Sequence, residues 1–385
     1  MNMAYDDTDF DKVIPRQGTG SLKWDGAHAH FGSEVLPMWV ADMDFAVPKT
    51  VIADLQKRLE HPIFGYPSNG PEMLQAADDW MAKRHGWRPE PGVTGMISGV
   101  VPALFAAVRA FTQPGDPVIV MPPVYPPFMT AVRKNARELL LVPLQNNGAG
   151  VYEMHWAALE NAVRNAKLLL LCSPHNPTGR VWTASELQRL GALCASAGCV
   201  VVSDEIHADL SHAEHTPFPA LFPRSVLLTS AGKSFNIAGM GGGVAILPDP
   251  ELRQRFHDEI HRSQIHQTNV CALTAMTSAW RHGAEWQTAL RGYLADNASF
   301  MGEYLTHALP AVVYRRPEFG YLAWLDVHHY GSDETLARRL RHARLGLNPG
   351  PSFGPGGEGF VRLNFATPRS VLERGLERLQ QALLG

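Results

Sequence analysis

Three short runs, Leu168-Leu-Leu-Leu-Cys172, Val200-Val-Val202 and Val226-Leu-Leu-Thr229, are almost entirely apolar instead of alternating apolar with polar. A strand reads that way when both of its faces are covered, as in a parallel sheet sandwiched between helices. The surrounding pattern agrees. From about residue 100 it predicts helix Pro102 to Phe111, strands Pro117 to Met121 and Glu138 to Val142, helix Glu153 to Asn165, and strand Lys167 to Cys172. Helix Ala184 to Ala197 and strands Cys199 to Ser203 and Ser225 to Thr229 continue it. Such alternation defines an α/β domain with a mainly parallel sheet. After Pro250, long helical stretches lead to strands near Val312 to Tyr314, Tyr321 to Val327 and Phe360 to Phe365, then a final helix from Pro368. That is the pattern of a smaller α+β domain, and 385 residues suit two domains better than one.

Composition excludes several functions. A net charge of -3 with 45% hydrophobic and 18% charged residues gives no electrostatic reason for a nucleic-acid or anionic-membrane partner. The start, Met1 to Asp9, is acidic and unlike a signal peptide, and no run reaches the length of a membrane span, so a cytoplasmic protein is expected. Cys172, Cys194, Cys199 and Cys271 form no Cys-x-x-Cys pair and read as buried small apolar residues in a reducing compartment. Among 17 histidines, His212 and His215, or His257, His261 and His266, invite a metal reading. No Cys or carboxylate cluster completes a ligand set, so surface or rim histidines and no metal are expected. Gly239-Met-Gly-Gly-Gly243 completes no dinucleotide fingerprint and reads as close backbone packing, while Asn348 to Gly357 reads as a shaped loop.

Chemistry gathers after the apolar strands, where open α/β sheets bind ligands. Asn176 lies in His175-Asn-Pro-Thr-Gly179, Asp204 in Ser203-Asp-Glu-Ile-His-Ala-Asp209, and Lys233 in Ser230-Ala-Gly-Lys-Ser-Phe-Asn236. A lone Lys after a strand is ordinarily a solvated charge. Here an amine for an aldehyde, a carboxylate for a ring nitrogen and an amide donor for a ring oxygen arrive together, which is what pyridoxal phosphate needs. Ala231, Gly232, Ala238 and Gly239 leave room for a large ligand, and the scarcity of charge predicts a lowered Lys233 pKa.

With His175-Asn-Pro-Thr-Gly-Arg180, Asp204-Glu205 and Ser230-x-x-Lys233, the chain resembles the fold-type I pyridoxal-phosphate enzymes of the class I/II aminotransferase superfamily. Within it, further motifs are similar to the cystathionine β-lyases of the MalY/PatB type. They are Arg16-x-x-Thr19-x-Ser21-x-Lys23-Trp24-Asp25, Pro37-Met-Trp-Val-Ala-Asp-Met-Asp-Phe45, Gly65-Tyr-Pro67, Gly99-Val-Val-Pro102, Pro123-Val-Tyr-Pro-Pro-Phe128 and Asp204-Glu-Ile-His-Ala-Asp209. The stretch from Pro37 to Phe45 is the most specific of these.

The resemblance implies an aspartate-aminotransferase-like fold whose large domain holds a mainly parallel seven-stranded sheet. Residues 1–48 would form an N-terminal arm and part of the small domain, 49–285 the large cofactor-binding domain, and 286–385 the small C-terminal domain. Lys233, Tyr125 and Asp204 would be the catalytic set. Lys233 would link to the cofactor and, once displaced by substrate, shuttle protons at Cα. Asp204 would keep the ring nitrogen protonated, Tyr125 would stack on the ring, and Asn176 would donate to the ring oxygen. Gly99, Val100 and Val101 would hold the phosphate at a helix N-terminus, with a hydroxyl from Ser230, and His207 would also contact the cofactor. Arg362, a guanidinium on an otherwise apolar strand, would grip the substrate's α-carboxylate in preference to forming a structural ion pair. Trp39, Val40, Tyr66 and Asn176 would complete the substrate site.

Tyr66 would also reach the phosphate from the partner subunit, implying a homodimer with composite sites. Trp39, Tyr321 and Ser352 are candidates for the wall that reads the distal substrate. One position departs from the superfamily: Gly241 stands eight residues after Lys233, where many aminotransferases carry a phosphate-gripping Arg. The expected reaction is β-elimination from L-cystathionine or a related S-substituted cysteine. An aminotransferase and a regulatory binding protein that retains the fold are the alternatives.

Overall fold

Strands β1 (Thr94–Ile97), β2 (Pro117–Val120), β3 (Glu138–Leu141), β4 (Leu168–Cys172), β5 (Val200–Asp204), β6 (Ser225–Thr229) and β7 (Gly243–Ile246) form one sheet in the order β1-β7-β6-β5-β4-β2-β3. Only β7 runs against its neighbours, β1 and β6. Every residue of β4 and β5 is buried, the condition their continuous apolar runs require. The register sets Cys172 beside Asp204 and Asp204 beside Leu228, so the ends of β4, β5 and β6 finish together. These features belong to a computed structural model that describes residues 6–32, 34–68, 70–265 and 267–385. The first five residues and His266 lie outside the described residues.

Helix α1 (Val100–Phe111) follows β1 and buries an apolar face that includes Ala103, Leu104, Ala107 and Phe111. Helix α2 (Ala184–Ala197) begins with a capping box, Thr183 and Glu186 each satisfying the other's backbone amide, and stops at Gly198 with φ +68°. The one-turn helix α3 (Ala231–Ser234) carries Lys233. Helix α4 (Ala284–Ala308) leads to an antiparallel sheet of β8 (Val313–Tyr314), β9 (Leu322–Asp326), β10 (Asn348–Pro349) and β11 (Phe360–Asn364), ordered β8-β9-β11-β10. Helix α5 (Arg369–Leu384) ends the chain, and the N-terminal Leu36–Pro37 pairs in parallel with Leu345–Gly346.

Several expectations need correction. The helix expected from Glu153 to Asn165 spans only Trp156–Ala162. Tyr152–Glu153 instead pairs with Gln145–Asn146, burying Tyr152 and exposing Glu153. In the glycine run, a side chain at Gly243 would meet the Thr229 carbonyl at 2.6 Å and one at Gly242 would meet Met276 Cε at 2.6 Å. Close packing therefore accounts for those two positions but not for Gly239, which faces open space. Cys271 is only partly buried, unlike the other three cysteines. His215 is no rim residue: it is buried, with Nε2 2.8 Å from Glu205 Oε2.

Candidate active site

The ends of β4, β5 and β6 open on a cavity of about 430 Å³ that gathers Tyr125, Asn176, Asp204, His207, Lys233 and Arg362. Gly99, Val100, Val101, Ser230 and Gly241 line one side, and Leu22, Trp39, Val40 and Ala41 another.

Lys233 is placed by local capping. Ser230 Oγ accepts from the Gly232 amide at 3.1 Å, starting α3, and donates to the Gly242 carbonyl at 2.9 Å. The Lys233 amine donates to the Ala41 carbonyl at 2.6 Å. Burial first, and the Arg362 charge second, lower its pKa to about 8, with Asp42 and Asp204 pulling the other way. Beneath it, Ser234 Oγ donates to Asp209 Oδ2 at 2.9 Å, and Asp209 Oδ1 lies 2.9 Å from both Trp80 Nε1 and His85 Nε2.

Asp204 and Glu205 are adjacent but point to opposite tasks. Glu205 is satisfied by Ser203 Oγ, the Phe218 amide and His215. The Asp204 carboxylate accepts from the Ile206 amide at 3.1 Å, the only hydrogen bond to that side chain among the described residues. Burial pushes its carboxyl up to about 7 against that amide, so full ionisation there calls for a cationic partner in the cavity. His207, its ring 5.3 Å from that of Phe319, has an Nδ1 without a hydrogen bond among the described residues, and burial lowers its pKa to about 3, so it is neutral. Burial raises the Tyr125 phenol, which remains protonated.

Arg362 comes from the buried centre of the antiparallel sheet. Nη1 donates to Asn176 Oδ1 at 3.0 Å, and Nη2 donates to the Trp39 carbonyl at 3.0 Å and to Asn348 Oδ1 at 2.8 Å. None of these partners is an anion, and Nε has no partner among the described residues. Burial lowers its pKa only to about 10, leaving it charged at neutral pH. This buried guanidinium is held by neutral acceptors and forms no ion pair among the described residues, so its charge is left uncompensated. Its bond to Asn176 Oδ1 also turns the Asn176 amide group so that Nδ2 remains available to donate.

At the cavity floor, α1 begins after Gly99 with no side chain capping it, so the Val100 and Val101 amides have no intrahelical acceptor. The Ser230 hydroxyl proton is committed to Gly242. Tyr66 is 93% exposed and lies outside its own chain's cavity. Tyr321 and Ser352 do not line it either: Tyr321 is buried behind Ala41, donating to its carbonyl at 3.0 Å, and Ser352 is exposed. Leu22, Ala41 and Asn348 are wall residues that sequence reasoning missed. Ala41 acts through its backbone, which leaves no signature in residue type beyond its place in the Pro37 to Phe45 stretch.

The profile of the aminotransferase class I and II family matches residues 33–379, and the chain belongs to that family. It is 42% identical to cystathionine β-lyase PatB of Bacillus subtilis, over 97% of this chain and 99% of that protein. Cystalysin from Treponema denticola, whose crystal structure contains a pyridoxal 5'-phosphate cofactor, superposes with a TM-score of 0.93 at 34% identity over 98% of each chain. A pyridoxal-phosphate-bound C–S lyase from Staphylococcus hominis superposes with a TM-score of 0.91 at 30% identity, also over 98% of each chain. Among the described residues, no helix is long and apolar enough to cross a membrane, and no three His, Cys, Asp or Glu gather as around a metal.

Proposed function

We propose that this protein is a pyridoxal-phosphate-dependent carbon–sulfur β-lyase that cleaves L-cystathionine or a related S-substituted L-cysteine to thiol, pyruvate and ammonia. The observation that carries the amino-acid chemistry is the meeting, in one cavity, of Lys233, an Asp204 carboxylate with a single hydrogen bond and an Arg362 without a counter-ion among the described residues. The choice of elimination over transamination is supported by full-length similarity to PatB and to the C–S lyase of S. hominis.

The residues fit the cofactor. Asp204 offers a carboxylate deep in the cavity for the ring nitrogen, Asn176 Nδ2 and His207 Nδ1 are unengaged donors or acceptors, and the Val100 and Val101 amides suit a phosphate. With Gly241 in place of a cationic residue, that phosphate would rest on helix amides. Tyr66 and its exposed neighbours Ile63 and Phe64 support a homodimer in which the partner's Tyr66 joins each phosphate site. The division into residues 49–285 and 286–385, with 1–48 bridging them, and a cytoplasmic location complete the reading.

When bound, pyridoxal phosphate supplies an aldehyde for the substrate amine and an electron-accepting ring. Arg362 receives the α-carboxylate through donors that include its unpartnered Nε, orienting Cα. Asp204 holds positive charge at the far end of the cavity. Lys233, neutral in part near pH 8, takes the Cα proton, and the C–S bond then breaks with its electron pair leaving on sulfur.

Purified protein given L-cystathionine without any keto acid should release thiol and pyruvate in equal amounts. Turnover only when a keto acid is added would replace the lyase reading with an aminotransferase.

A further inference from the structure

Arg16 to Asp25 and Pro37 to Phe45 carry charged side chains that have no direct part in the chemistry above. They meet one another instead. Lys23, with its side chain 1% exposed, donates to Asp44 Oδ2 at 2.7 Å and lies 3.9 Å from Asp42 Oδ1. Arg16 spans both acids, Nη2 to Asp42 Oδ2 and Nη1 to Asp44 Oδ1, each at 2.8 Å. Trp24 Nε1 donates to Asp44 Oδ1 at 2.8 Å. Burying Lys23 and Asp44, with Arg16 and Asp42 partly buried beside them, is a weak source of net stability, since apolar residues of similar volume often do as well. What the cluster holds in place is therefore the informative question.

It holds a strap two of whose carbonyls, those of Trp39 and Ala41, meet side chains of the cavity. Trp39 O accepts from Arg362 at 3.0 Å, and Val40 O and Asp42 O each accept from Asn364 Nδ2 at 2.6 Å. Ala41 O accepts from Lys233 at 2.6 Å and from Tyr321 at 3.0 Å. Met43 O accepts from Arg16 and Asn236, and Phe45 O from Asn236, three residues beyond Lys233. Five successive carbonyls, from Trp39 to Met43, are thus engaged, with the charged cluster anchored on either side of Met43. A peptide plane shifted by an ångström here would move the acceptor of the Lys233 amine and that of Arg362 together.

We propose that Arg16, Lys23, Asp42 and Asp44 form a positioning clamp that fixes the strap so that the Ala41 carbonyl orients the Lys233 amine whenever that amine is free. The four are positioning residues, acting through the strap. Their role in turnover rests on the lyase reading, whereas their effect on Lys233 itself does not. The charged or titratable groups facing Lys233 are Arg362 from β11, Asp204 and His207 from β5 and its following turn, and Asp42 from the strap, with Tyr321 and Tyr125 nearby.

The double variant Lys23→Met/Asp44→Asn removes one charge of each sign and leaves all the groups just named unchanged. In cofactor-free protein, the pH midpoint for reductive methylation of Lys233, followed by peptide mass spectrometry, should lie near 8 for the parent. It should fall by about half a unit or more in the variant, because a carbonyl acceptor favours the ammonium form. In the loaded enzyme, kcat should drop about tenfold with KM changed less than about threefold. An unchanged midpoint with unchanged kcat in a folded variant overturns the clamp. Arg16→Lys keeps the charge, breaks the two-pronged contact, and should move the midpoint the same way by less; it decides the matter if the double variant does not fold. A shifted midpoint in a protein without lyase activity overturns only the lyase reading, and normal lyase activity with no shift overturns only the clamp.

Discussion

The two walls of the cavity are built by different means. On one, Asp204 ends its strand while Asn176 and Lys233 follow the parallel strands on either side, and sheet register brings them together. On the other, Arg362 reaches Trp39 across 323 residues of chain and Lys233 reaches Ala41 across 192, through backbone carbonyls of a docked strap. The first wall is a consequence of secondary structure, and the second exists only when the N-terminal segment is seated. Changes on the first wall should therefore strike the chemical step, whereas on the second the loss of Arg362 should strike substrate capture and a loosened strap should reach the chemical step only through the alignment of Lys233.

The largest effect belongs to the first wall. Lys233→Ala should lower kcat by about 10⁴-fold or more while leaving the thermal midpoint nearly unchanged, because the side chain is part of the catalytic unit and not of the core. Steady-state kinetics beside a melting curve would check it, and a modest loss of kcat would dissolve the distinction between the walls. On the second wall, Arg362→Lys keeps the charge but loses the planar fork. KM should rise about 100-fold with kcat changed less than tenfold. The reverse split would mean that Arg362 serves the chemical step directly.

A third test lies underneath the Lys233 turn. Asp209 is buried, which raises its pKa, but His85, Trp80 and Ser234 outweigh burial and hold its carboxyl below the ordinary value of 3.8. A depressed carboxyl contributes stability that is fully present above its unfolded value and is lost as pH falls through the folded one. Asp209→Asn should cost about 2–4 kcal/mol near neutral pH and flatten the acid side of the melting-temperature profile below about pH 4. A parallel shift of the whole profile would show that only packing was lost.

The same contrast explains what could be read in the sequence. The first wall was legible because its motifs are local: a continuous apolar strand followed within a few residues by an amide, an acid or an amine. Arg362 was legible as a cation in an apolar strand. Ala41 was not, since a carbonyl contact selects no side chain. Strands β1 and β7 leave little signal in the sequence because each has only four residues, one of them glycine, and Tyr152–Glu153 reads as helix because its apolar spacing continues into Trp156–Ala162. The burial of His215 is not legible locally, because the carboxylate that satisfies its ring, Glu205, lies ten residues away on another segment.

The smallest effect concerns Leu22, which lies between the buried Ser21 and Lys23 yet is 61% exposed and lines the cavity. A large apolar side chain held at the mouth by its clamped neighbour can cover the part of a substrate that extends beyond Cβ. Shortening it by three carbons removes contact worth about 0.7–1.4 kcal/mol if the substrate reaches it, and nothing if it does not. Leu22→Ala should therefore lower kcat/KM for L-cystathionine about three- to tenfold, leave S-methyl-L-cysteine nearly unaffected, and keep the melting temperature unchanged. Equal losses for both substrates would place Leu22 with the water-excluding part of the wall, and the second wall would then read no more of the substrate than its carboxylate.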